Sequence, residues 1–455
     1  MECVLEAHSV RAYVRGLPVQ ILATCADGVI AVVGHCFSIS DEPSVPEVPH
    51  PREFNHGFHE AFVAKHFGKY ALLCLMEKSA WIVPDSAACL SIFHCAARGR
   101  AASSPRLVAQ GEPVRDGKWL EVFAKVRRET GLWYPLGLTG IETVKLLLPN
   151  HILRLGDPEH RRYRFGLGQP ASPLQGTGTP GQVAHALRNA VAALKRLSPV
   201  ALPLTAGQDS RALYAALQAS NCRTEPFLNY DHGVTSPVDR DTAAGLAESS
   251  ADPLHSDLPT HGVGVEMPGF GGEIGRGFYY HLGKIPCRLA PAFIAVRVGV
   301  ESIPESIAVM DAWLEPLSHL QANLILDLLY LEHRVGTTMS PVLAIRGADG
   351  IPAIAPFLAP SVIDGMLSLS RRAKQRGDLG KIIVAKLARR LSRFPYNRSL
   401  PEFGDLLDNL RLGNFGVLWD ADYGPLGMKA LGRGVSNLPR FLRAWLVLLR
   451  NRLRG

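Results

Sequence analysis

No C-x-x-C pair occurs among the eight cysteines, Cys3, Cys25, Cys36, Cys74, Cys89, Cys95, Cys222 and Cys287. Most of them lie in apolar, strand-like stretches such as YALLCLM, which argues against zinc ligation and against a disulfide framework. Reduced core thiols in a cytoplasmic protein are the expectation. No apolar run reaches the ~18 residues that span a bilayer. The opening MECVLEAHSV has no basic stretch ahead of an apolar core, so no secretory leader is expected. Charged residues make up only 20% of the chain against 47% hydrophobic, a composition that excludes disordered and fibrous classes. Acids are nearly missing from one segment. From Arg371 to Arg398 the cations Arg371, Arg372, Lys374, Arg376, Lys381, Lys386, Arg389, Arg390, Arg393 and Arg398 meet the single acid Asp378. This is either a solvated helix face or a wall that attracts phosphates or an anionic partner. No nucleic-acid-reading motif accompanies it, and a net charge of +8 is modest for 455 residues, so nucleic acid is not expected as a partner.

What is present divides the chain in two, as its length suggests. To residue 165, strand-length apolar segments (VQILATC, VIAVVGH, YALLCLM, AWIVP) are punctuated by Gly, Asp, Pro and Ser, which predicts an antiparallel β-rich domain. Between two of them GFHEAFVAKHFG has helical spacing, with Phe58, Ala61, Phe62 and Phe67 on one face. Residues 166–181, rich in Gly, Pro, Ser and Thr, read as a linker. From 182 to 455 the order helix (QVAHALRNAVAALKRL), strand (PVALPL), helix (SRALYAALQAS), strand (PFLNY) predicts a βαβ unit and a parallel sheet. The final LPRFLRAWLVLLRNRLRG places Leu442, Trp445, Leu446 and Leu449 on one face among arginines. It reads as a terminal helix docked on the protein, with an interfacial membrane helix as the alternative and no stable membrane insertion.

Candidate chemistry begins at Leu202–Leu217, LPLTAGQDSRALYAAL. A strand that runs into small residues, and then at once into a helix, aims backbone N–H groups and the positive helix end at one point. That is a phosphate site. Leu204, Thr205, Ala206, Gly207, Gln208, Asp209 and Ser210 form the candidate loop. In it Ala206 and Gly207 admit the anion closely, Ser210 offers a hydroxyl, and Asp209 can hold Mg2+ against phosphate oxygens. The competing reading is that Asp209 or Ser210 only caps the helix.

The stretch Thr205–Ser210 resembles the S-G-G-x-D-S pyrophosphate loop of the asparagine-synthetase-like ATP pyrophosphatases. About sixty residues on, GFGGEIGRGFYY resembles that family's G-D-G-x-D-E-x-F-x-G-Y segment. Gly269, Gly271, Gly272, Gly277 and Tyr279 match its glycines and tyrosine, Glu273 stands at its metal-binding acid, and Phe270 and Ile274 depart from it. FLAPSVIDGMLSL, GKIIVAKLARRL and, in the first half, GIETVKLLLPNHILRL are similar to further family segments, so the resemblance runs to about Arg398. It implies an α/β protein in two parts, an N-terminal-nucleophile-like α+β domain followed by a parallel-sheet PP-loop synthetase domain. It further implies ATP held by the loop with Gly271 and Gly272, and Mg2+ shared by Asp209 and Glu273.

The departures narrow the implied activity. Met1-Glu2-Cys3 offers no N-terminal cysteine with a free α-amino base, so glutaminase activity is not expected and Cys3 reads as a strand thiol. This resembles the β-lactam and lasso-peptide macrolactam synthetases, whose first domains are similarly degenerate. The implied reaction adenylates a carboxylate with ATP, releases pyrophosphate and lets an amine attack, with a small-molecule or peptide substrate and a partner protein as a source of it. Lys381 is the candidate for the positive charge on the reacting phosphate; the alternative is one more cation on a basic helix. The family's E-x-R-x-P-F-L would put a base where Pro352 stands. Glu332 is the substitute, and the competing reading of Glu332 and Arg334 is a surface pair without function. Two other classes are a nucleotide-binding protein without catalysis and a PP-loop enzyme that moves sulfur or ammonia. The missing C-x-x-C and N-terminal Cys count against the latter.

Overall fold

The computed structural model describes residues 2–5, 10–39, 47–95, 98–155, 161–166, 176–228, 237–259, 261–280, 285, 288–346 and 350–396. The helix expected over 438–455 and most of the 166–181 linker lie outside the described residues.

Among the described residues of the first half, eleven strands form two antiparallel sheets. They are β1 (Glu2–Leu5), β2 (Val10–Tyr13), β3 (Val19–Cys25), β4 (Gly28–Ser38), β5 (His66–Met76), β6 (Ser79–Pro84), β7 (Phe93–Cys95), β8 (Arg100–Ala102), β9 (Lys145–Leu146), β10 (His151–Leu155) and β11 (Arg161–Arg162). One sheet has the order β11-β10-β6-β5-β4-β3 and the other β2-β1-β8-β7-β9. The long strands β4 and β5 pair in unbroken register from Gly28 opposite Met76 to Ser38 opposite His66. Their apolar runs are nearly continuous because both faces are covered. Val33, Ala71 and Leu73 pack toward Ile92, Ala101 and Leu147 on one side. Ile30, Val32, Leu72 and Cys74, one residue out of phase, pack toward Phe58, Phe62 and Val63 of helix His56–Lys65 on the other. The backbones draw close at Gly68, where a Cβ would lie 2.1 Å from the His35 carbonyl oxygen, so no side chain fits.

The helix stops at Lys65 and His66 is already extended, so Phe67 belongs to β5 and not to the helical face that carries Phe58 and Phe62. Cys3 lies in β1, as expected of a strand thiol.

In the second half β12 (Val200–Pro203) is the centre of a parallel sheet, with β13 (Thr224–Phe227) and β14 (Val265–Glu266) on its two sides. A parallel bridge from Glu266 to Ala353 carries the pairing one segment further. Helix Pro180–Ala193 starts with a full capping box from Thr179 and Gln182. Helix Gln208–Ala219 is buried on every side from Ser210 to Leu217, because helices Pro180–Ala193 and Leu379–Leu387 both pack on it. The basic stretch is not one helical face. It breaks into Arg371–Gln375, Leu379–Leu387 and a 3-10 turn Arg389–Arg393, and Lys374 is fully buried against Asp327 at 2.5 Å.

The two halves share one core, which runs from Phe37, Phe67 and Phe123 to Leu202, Leu213 and Ile383. Polar ties cross the same boundary. Lys69 Nζ of β5 donates to the carbonyls of Leu343, Ala344 and Arg346 at 2.8, 3.1 and 3.1 Å, which satisfies the end of helix Ser340–Ile345. Ser86 Oγ donates to Leu358 O at 2.7 Å, and Ser340 Oγ to Ala87 O at 2.7 Å. Among the described residues no helix is long and apolar enough to cross a membrane.

Candidate phosphate-binding site

The chain leaves the carboxyl end of β12 at Pro203 and enters helix Gln208–Ala219 five residues later, because the strand is central in a parallel sheet and the helix must return along its face. Gly207 is the N-cap residue and has no side chain to cap with. Asp209 and Ser210 lie inside the first turn, so neither is the cap. Ser210 Oγ instead accepts from Thr205 N–H at 3.2 Å, and Thr205 Oγ1 accepts from Gly207 N–H at 3.0 Å. Ala206 N–H donates to Asp239 Oδ1 at 2.8 Å, so a carboxylate oxygen from helix Pro237–Glu248 already rests on the loop backbone. Leu204 and Ala206 are fully buried and contribute main chain only. Gln208 Nε2 donates to Gly377 O at 3.0 Å.

The glycine segment, about sixty residues further on, closes against this turn. A Cβ on Gly269 would lie 3.3 Å from Ser210 N, and one on Gly272 would lie 2.3 Å from Asp209 Oδ1. Gly271 adopts φ +100°, a left-handed conformation, and a Cβ there would meet Leu358 at 2.4 Å. The segment is thus held between the helix start and the buried turn Pro356–Leu358. At Gly271 and Gly272 no side chain fits without a shift, and Gly269 is tight, which is the physical content of the glycine pattern.

Asp209 and Glu273, the acids expected to share a metal, are brought together, and a guanidinium joins them. Arg276 Nη2 lies 2.7 Å from Asp209 Oδ2 and 3.4 Å from Glu273 Oε1. The second Glu273 oxygen accepts from the buried Tyr330 hydroxyl at 3.0 Å. Burial, then the negative Glu273, raises the Tyr330 phenol well above its ordinary range, so it stays a donor. As arranged, the pair does not fit magnesium. The ion needs near-octahedral oxygens at ~2.1 Å, and the same oxygens are engaged by Arg276 and Tyr330. Among the described residues no three His, Cys, Asp or Glu side chains converge to hold a metal.

Lys381 is exposed on the first turn of helix Leu379–Leu387, whose start touches the loop helix: a Cβ on Gly380 would lie 2.7 Å from Gln208 Cβ. Its Nζ is 5.3 Å from the Tyr396 ring centre, and that ring also receives the Arg211 guanidinium at 3.7 Å. Arg211, fully buried, donates to Ala206 O at 3.4 Å and to Phe394 O at 2.8 Å. It therefore ties the loop to the segment that follows the basic helices.

Glu332 and Arg334 are not a surface pair. Glu332 is fully buried and accepts from Arg162 Nη1 and Nη2 at 2.5 and 2.6 Å, Asn150 Nδ2 at 2.9 Å and Trp313 Nε1 at 2.7 Å. Burial raises its carboxyl, but Arg162, with His151 and Asn150, overrides this and holds the pKa down to about 2. A carboxylate so engaged is a poor proton acceptor; it clamps the first half to the second. Arg334 donates to Thr130 O across the same boundary at 3.2 Å.

Sequence reasoning missed Arg276, Tyr330, Asp239 and Arg211. Arg276 had a signal, as the lone cation inside the glycine segment. Asp239 had none.

Fold and site together define a two-part α/β protein with a helix N-terminus at the carboxyl edge of a parallel sheet and an acid in its first turn. No family model matches the chain, and no curated protein does.

Proposed function

We propose that the chain is an ATP-dependent amide-forming synthetase of the asparagine-synthetase-like kind, without glutaminase activity of its own. The reading is carried by one observation: Asp209 and the Gly269–Gly277 segment meet at the N-terminus of helix Gln208–Ala219. A triphosphate laid there would receive helix-end N–H groups, with Lys381 beside the loop as an exposed cation. A carboxylate oxygen attacks the α-phosphorus and pyrophosphate leaves; an amine then attacks the acyl carbon and AMP leaves as the amide forms. Residues 205–210 hold the phosphates, and the glycine segment closes over them and keeps water from the acyl-adenylate. The substrate class proposed is a peptide or small-molecule carboxylate with an amine, delivered free or by a partner protein in the cytoplasm.

ATP–pyrophosphate exchange over a panel of carboxylates tests this. Exchange that is lost in Asp209→Ala supports it. A second reading, a nucleotide-binding protein without catalysis, is favoured by the engagement of Glu332 in a buried clamp and by Pro352 at the base position. It predicts thermal stabilisation by ATP with no exchange for any carboxylate.

A further inference from the structure

We infer that Arg276 is the resident cation of the Asp209–Glu273 pair and takes the place there of a divalent metal ion. The functional half of this inference rests on the reading above; the structural half does not. One guanidinium nitrogen reaches both carboxylates, at 2.7 and 3.4 Å, and any cation bound to both would compete for the same two oxygens. The guanidinium is attached to the segment it serves, three residues beyond Glu273, so its encounter with the pair is intramolecular and needs no free ion. Arginine does not lose its proton in proteins, so its charge is constant across physiological pH. Tyr330 fixes the far oxygen of Glu273, and Gly272 closely covers the other oxygen of Asp209, which leaves the pair oriented toward Arg276. A polyphosphate bound beside the pair then meets a cation already in place and needs no metal in order to bind.

Manganese titration of the full-length chain, followed by the electron paramagnetic resonance signal of free Mn2+, tests the structural half. The wild type is expected to take up no Mn2+ in a manner sensitive to Asp209→Asn. Arg276→Met should take up one equivalent at least tenfold more tightly, and the double variant Arg276→Met/Asp209→Asn should lose it. Arg276→Lys, which keeps a cation, should behave as the wild type and guards against a folding defect in the Met variant. One tightly bound Mn2+ on the wild type that Asp209→Asn removes would overturn the inference, as would an Arg276→Met chain that folds but binds no more than the wild type. For the functional half, inorganic pyrophosphate should bind the wild type with similar affinity in Mg2+ and in chelator, and at least tenfold more weakly to Arg276→Met in chelator. Binding that disappears from the wild type in chelator overturns this half. A wild type that binds neither ATP nor pyrophosphate in either buffer sinks the proposed synthetase, while the manganese result still decides Arg276.

Discussion

At the scale of single residues, two acids given comparable weight by sequence turn out to do different physical work. Asp209 is one-fifth exposed, and its partner Arg276 is equally accessible. Glu273 still holds Arg276 when Asp209 is gone, so its removal should cost little stability, while the guanidinium loses the carboxylate that fixes it beside the loop. Asp209→Ala is expected to abolish exchange and to move the thermal midpoint by less than about 4 °C. Glu332 is the opposite case. Its folded-state pKa of about 2 lies below the ordinary 4.5, so its stabilising contribution is present above about pH 4.5 and is lost as the pH falls toward 2. The shift corresponds to about 3 kcal/mol. Denaturant unfolding between pH 7 and pH 3 should show the wild type losing more stability than Glu332→Gln over that window. At pH 7 the Gln variant should already be weaker by about 3 kcal/mol, because Arg162 is left buried without its charge partner. Equal pH slopes for the two proteins would remove the clamp assigned to Glu332.

Elements meet at two joints that can be tested separately. At the site, the glycine segment reaches the loop helix only because Gly272 has no side chain; a Cβ would lie 2.3 Å from Asp209 Oδ1. Gly272→Ala should push the segment away from Asp209 and weaken ATP binding about tenfold or more, an effect calorimetry would register, with far-ultraviolet dichroism unchanged. Away from the site, β5 reaches helix Ser340–Ile345 through Lys69, whose ammonium satisfies three carbonyls in a buried position. Lys69→Met keeps the length of the side chain and removes the donors. It should destabilise the chain by about 3 kcal/mol in chemical denaturation, since the buried Leu343 carbonyl is orphaned and those of Ala344 and Arg346 lose their donor.

Over the whole molecule, the division into two domains is weaker than the composition suggests. One hydrophobic cluster joins the halves, and Glu332, Lys69, Ser86 and Ser340 bind across the boundary. Residues 1–165 expressed alone should leave Phe37, Phe67, Trp119 and Phe123 without their partners, and should bind a hydrophobic dye strongly and aggregate. A cooperative unfolding transition from that fragment alone would show the first half to be self-sufficient.

The sequence by itself determined the local grammar: strands at VQILATC, VIAVVGH, YALLCLM and AWIVP, the helix after the linker, and the strand–turn–helix at residues 200–219. Those follow from the spacing of apolar residues and from small residues at turns, which act over a few positions. Even there, Phe67 passed from helix to strand, because helical and strand periods cannot be told apart where one runs into the other without a turn. Only the tertiary structure decided which charges meet. Arg276 on Asp209, Asp239 on the loop backbone, Lys374 against Asp327 and Arg162 on Glu332 pair residues tens to hundreds of positions apart. A charge on a sequence looks the same whether it faces water or a buried partner. Only the packing that excludes water fixes its role.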